Sequence, residues 1–235
     1  MPARPAHGAA GTVVRSRRLR PPVAPLKRPG PPGGVRDTNR REKSQAIRDA
    51  AMVLFLERGI ESVSVDDIMK AARMAKGSFY RYFDSQAELV ADLMAPTRAL
   101  IIEALEACSR ELETASHRDA QFRAYRRVGE VVAQLLLEQP GQVRLYLQES
   151  RAPAVGARKP IAELSSVVAR YALEITEKAQ RHGILKPIPV AVSALTVVGA
   201  AERLLLAVFE EEPPLGNLFE IPDALTTLIL DGLKA

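Results

Sequence analysis

From Asp37 onward, apolar residues return every three or four positions and never in sustained alternation, which restricts the chain to packed helices. Ile47, Ala50, Ala51, Leu54 and Phe55 form the first stripe, with arginine and glutamate on the opposite side, and Gly59 follows as a helix stop. Ser64, with Asp67 three residues on, has capping-box spacing, although Glu or Gln is commoner at the second position. The helix it opens carries Val65, Ile68, Ala71 and Ala72 over about two turns. Arg73-Met74-Ala75 then separate it from a third short helix, Lys76 to Phe83, with Phe79, Tyr82 and Phe83 as core candidates. Ser85 caps a longer helix starting at Gln86. Two short helices joined by a three-residue turn and braced by a longer first helix describe a helix-turn-helix unit.

The remainder reads as helices near 97–114, 120–138, 141–150, 160–182, 190–211 and 222–232, and Pro96 is expected to kink or split the helix begun at Gln86. The expected fold is all-α, with about nine helices: a three-helix DNA-binding domain over 38–95 and a helical domain over 96–235.

Charge is unevenly placed. The chain totals +5, yet residues 1–36 hold seven Arg and one Lys with no acid, leaving the rest slightly acidic. Net charge of the folded part therefore does not point to nucleic acid, and a DNA reader must work by local placement. Residues 1–37, with eight Pro and five Gly, read as a disordered basic tail. Two accounts of it stand: an arm that engages phosphate backbones, or a start-site artefact with the true start near Val35.

Other classes find little support. The single Cys108 cannot form an intramolecular disulfide, no CxxC or His/Cys cluster suggests a metal, and a reducing cytoplasm is expected. The first 37 residues lack a secretory h-region. The apolar run Val190–Ala201 is interrupted by Ser193, Thr196 and Gly199, and is short of the roughly 20 residues a bilayer requires. His7, His117 and His182 pair with no nucleophile at motif level, and Glu210-Glu211-Glu212 reads as a solvated helix end. No catalytic residue, cofactor, metal or membrane partner is expected.

The segment SVSVDDIMKAARMAKGSFYRYFDSQAEL, Ser62 to Leu89, resembles the DNA-binding signature of the TetR family of bacterial transcription regulators, and Arg40 to Val63 resembles that family's first helix. About 55 residues are covered, and KGSFYRYF is the most specific part. The sequence departs from the family at four positions. Arg73 stands at the left-handed turn position usually given to Gly, Ala75 where Ser or Thr caps, Met69 where a small residue is frequent, and Gln86 where a lysine near the DNA backbone is usual.

The resemblance implies a homodimeric repressor on a palindromic double-stranded DNA operator, released by a small hydrophobic effector. Lys76 and Ser78 then lie near a helix N-terminus that favours phosphate. Gly77 permits close backbone approach, Tyr80 and Tyr82 offer hydroxyls to phosphate, and Arg81 offers a fork to a base edge. Tyr82 packing inward is the competing reading. Ser64 is both cap and phosphate donor, and Arg40, with Arg41 and Lys43, reaches backbone or minor groove. Leu100, Phe122, Tyr125, Leu145, Tyr146 and Tyr171 are the expected effector pocket. Ala194, Val198, Ala201, Leu205, Leu225 and Leu228 are the expected dimer interface. The alternative is a small-molecule-binding or protein-interaction module whose weakened helix-turn-helix no longer binds DNA.

Overall fold

A computed structural model describes residues 35–115, 117–210, 215–217 and 220–232. Its helices are α1 (Val35–Arg58), α2 (Val65–Ala71), α3 (Gln86–Thr114), α4 (Arg118–Glu138), α5 (Pro140–Glu149), α6 (Lys159–Arg181), α7 (Val190–Glu210) and α8 (Ile221–Gly232). Short 3-10 segments lie at Ile60–Ser62, Lys76–Arg81 and Gly156–Arg158. No β-strand occurs among the described residues, as the periodicity requires. From α4 to α8 the expected helices stand within two residues of the observed bounds.

Two expectations need correction. Pro96 does not split its helix: α3 runs unbroken from Gln86 to Thr114. Pro96 lies exposed between buried Met94 and Thr97, so its ring is accommodated at the surface of the helix rather than in the core. Residues 35–37, assigned to the tail, open α1. Residues 1–34, with His7 and most of the tail arginines, lie outside the described residues, as do Glu211 and Glu212.

Residues 40–235 form one compact unit, with no division at 95/96. The reason is the layout of two apolar cores. One gathers Ile47, Phe55, Ile68, Phe79 and Leu89, but also Leu145 of α5 and Ile161 and Leu164 of α6. The other gathers Leu105, Cys108 and Leu112 of α3 with Ala124, Ile175, Ala179 and Ile229. Helices α3 and α6 therefore contribute one end to each core. They also pack on each other, with α4 against α3, α7 against α6 and α8 against α4.

Candidate nucleic-acid interface and ligand cavity

Local chemistry builds the reading end. The first helix ends at Gly59, whose φ of 78° only glycine adopts without strain, and Gly59 N–H donates to Phe55 O at 2.9 Å. Ser64 caps α2 reciprocally: Asp67 N–H donates to Ser64 Oγ at 3.2 Å, and Ser64 N–H donates to Asp67 Oδ2 at 3.0 Å. Hydrogen bonds from the Ser64 hydroxyl and then its amide hold the Asp67 carboxyl below the usual range. This support is present at neutral pH and is lost as pH falls through that lowered value.

The turn after α2 carries strain. Arg73 takes the left-handed conformation, φ 55°, the single non-glycine residue to do so among those described. Arg73→Gly is expected to stabilise the fold by about 1 kcal/mol, read as a higher urea midpoint. A midpoint that stays or falls would contradict strain at this turn. Ala75 begins the next element without a side-chain cap. Its carbonyl instead accepts both the N–H of Ser78, at 2.9 Å, and the Ser78 hydroxyl, at 2.6 Å. Those bonds tighten the turn, and Lys76–Arg81 is a 3-10 helix where an α-helix to Phe83 was expected.

The segment has two sides. Phe79 and Phe83 are buried, with ring centroids 5.8 Å apart. Lys76, Gly77, Tyr80 and Arg81 are exposed, Tyr80 by 62%. Ser78 is half-buried. Tyr82 is half-buried and packs against the core, so the inward position competing with phosphate contact is the one it occupies. A Cβ on Gly77 would meet nothing within 4 Å. Ser64 and Arg40 are exposed on their own elements.

Three side-chain ties fix this end to the body. Arg48 Nε pairs with Asp92 Oδ2 at 2.5 Å, joining α1 to α3. Gln86 Nε2 donates to Val63 O at 2.9 Å and Ile60 O at 3.3 Å, a clamp on the link between α1 and α2. Sequence comparison treats Gln86 only as a missing lysine. The third tie is Glu149, 3% exposed at the end of α5. Its Oε1 accepts from Ile60 N–H at 3.1 Å and its Oε2 from Arg158 Nε at 2.6 Å. Gln148 beside it donates to Phe55 O at 2.9 Å. Nothing in the periodicity marks Glu149, because a charged residue at a helix end is ordinarily solvated.

A cavity of about 260 Å³ lies among α3 to α8. Tyr125 and Tyr146 line it, as do Ile101, Cys108, Val143 and Val168. Leu100, Phe122, Leu145 and Tyr171, expected in the pocket, are not in its wall. Leu145 is wholly buried in the first core and Phe122 packs on the second. Tyr171 turns to α3, donating its hydroxyl to Glu106 Oε1 at 2.7 Å, and Leu100 is a half-buried residue of α3.

The same geometry places the residues expected at a dimer interface. Val198, Ala201 and Leu205 of α7 and Leu225 of α8 line the cavity, as does fully buried Ala194. Leu228 alone of that set is outward, 65% exposed. The outward stripe of α7 is instead Val192, Leu195 and Leu206. Over its full 21 residues α7 is long and apolar enough to cross a membrane by length and composition, beyond the run first measured to Ala201. His117 and His182 are exposed at helix ends.

The fold defines a helix-turn-helix end that shares helices with a hollow helical body. Residues 47–93 match the family model described as bacterial regulatory proteins, tetR family. Over 69 residues it is 44% identical to the transcriptional regulator AcuR of Cereibacter sphaeroides, covering 29% of this chain and 31% of AcuR. The alignment thus spans about a third of that relative. Among solved structures, NalD, the secondary repressor of the MexAB-OprM multidrug efflux pump in Pseudomonas aeruginosa, superposes with a TM-score of 0.62 at 19% identity. That match covers 84% of this chain and 98% of NalD. The regulator FadR from Bacillus subtilis, in complex with stearoyl-CoA, superposes at 0.59 with 20% identity, covering 80% and 98%. The likeness to these structures extends the fold agreement from the head to the whole body.

Proposed function

We propose that the chain is a homodimeric, cytoplasmic transcription repressor that binds a palindromic DNA operator and is released by a small hydrophobic effector in the cavity. The observation that carries this reading is the two-sided Lys76–Arg81 segment. Phe79 within it and Phe83 just after it anchor the segment in the core while Lys76, Gly77, Tyr80 and Arg81 stay exposed. Gly77 has open space about it and no positive φ, so its own fold does not demand glycine. Close approach of a phosphate backbone supplies the reason.

Effector and operator are linked through shared helices. Val143 and Tyr146 line the cavity on α5, which ends in Glu149 against Ile60 of the reading head. An effector that fits better in a conformer with mismatched recognition segments shifts the population away from DNA.

The test is binding to the DNA upstream of the protein's own gene across a salt series. Tyr80→Phe is expected to weaken all operator variants alike, since a phosphate contact carries no base identity. Arg81→Ala is expected to relax preference at one base position, by about 1–3 kcal/mol for a bidentate contact. Equal losses from both substitutions on every sequence would remove Arg81 from base reading. Wild-type protein with no salt-sensitive binding would favour the module without DNA affinity.

A further inference from the structure

The cavity wall contains no Lys, Arg or His among the described residues. Its one carboxylate, Glu202, is already engaged on both oxygens. Oε1 accepts from the Tyr146 hydroxyl at 3.0 Å, and Oε2 pairs with Arg151 at 3.2 Å. A buried anionic head would find no cation and an adjacent carboxylate. A cationic head would compete with an arginine already in place. Both lose more hydration than this wall returns.

Thr176 and Thr226 also line the wall, and of its three other hydroxyls one stands apart. Thr97 donates its hydroxyl to Gln139 Oε1 at 2.6 Å, and Tyr146 is taken by Glu202. The Tyr125 hydroxyl is buried with no partner in the protein. Burial pushes its ionisation upward, so it remains a phenol and a donor. Burial likewise pushes the Cys108 thiol up to about 12, which keeps that neighbour uncharged. A lone buried donor is a cost that a complementary acceptor removes.

We propose that the cavity takes an uncharged, largely apolar small molecule bearing a carbonyl, and that Tyr125 Oη donates to that carbonyl. The proposal rests on reading the cavity as the effector site and specifies the ligand chemistry of that site. Apolar walls hold the hydrocarbon part, and Tyr125 sets its orientation. A free carboxylic acid, ionised at neutral pH, is excluded by charge.

The test uses N-phenyl-1-naphthylamine, an apolar dye that fluoresces when buried, with three ten-carbon competitors: 2-decanone, 1-decene and decanoate at pH 8. The ketone is expected to displace the dye at about tenfold lower concentration than decanoate. Tyr125→Phe should raise the ketone concentration needed by about fivefold to tenfold and leave dye and 1-decene unchanged. It should also preserve or raise the thermal midpoint of the ligand-free protein, because it removes an unpartnered hydroxyl. Decanoate matching the ketone, an unaltered ketone preference in the variant, or displacement by none of the three would overturn the proposal. A dye that never binds the wild-type protein would instead overturn the effector-site reading, and DNA binding is judged separately by the salt series.

Discussion

Glu149→Ala is expected to cost about 3–5 kcal/mol of folding stability, the usual penalty for breaking a buried ion pair from one side. The carboxylate serves Arg158, Ile60 N–H and Gln148 together. Alanine leaves a guanidinium only 20% exposed without its counter-charge and a backbone donor without its acceptor. Unfolding in urea followed by helical circular dichroism measures the loss. A change below about 0.5 kcal/mol, the range of an ordinary surface substitution, would show that the pair is solvated in solution. Glu149→Met with Arg158→Met removes both charges and is expected to recover much of that stability. The same double variant should still bind DNA but respond less to an effector, because the link from α5 to Ile60 is gone. A full response would move the coupling to α3 or α6.

The second large effect concerns assembly. If the proposed dimer forms through these faces, Leu195→Asp with Leu228→Asp is expected to leave a folded monomer, whose operator affinity falls by about a thousandfold or more towards non-specific binding. Both leucines are more than half exposed, at 55% and 65%, so the charges cost the monomer little. In a two-fold interface each would be buried twice. Analytical ultracentrifugation and a gel shift measure the two halves of the claim. A variant that remains dimeric at micromolar concentration would exclude these faces. Ala201→Glu provides the contrast: it adds a carboxylate to the cavity wall beside Glu202, and is expected to destabilise the fold without selectively separating subunits.

The helical class, the order of the helices and the bounds of α4 to α8 were legible in the residues. Local signals suffice for these. Apolar spacing marks helices, Ser64 with Asp67 and Ser85 mark starts, and Gly59 marks a stop. The left-handed turn at Arg73 was implied by the family resemblance, which places a glycine there, and Arg73 does take that conformation. The sidedness of the body was not legible. Helices α7 and α8 are apolar on more than one side, so periodicity identifies stripes without saying which faces a cavity and which faces outward. Val198, Ala201 and Leu205, expected at a dimer interface, line the cavity.

What the sequence by itself determined is thus the set of helices and the two-helix turn unit, because both depend on neighbours within a few positions. What only the tertiary structure decided is how distant elements meet. Glu149 receives Ile60 N–H across 89 positions, Tyr125 is buried without a partner, and α3 passes through Pro96 to join two cores. Each outcome depends on which face another helix covers, a property of packing that no local spacing encodes.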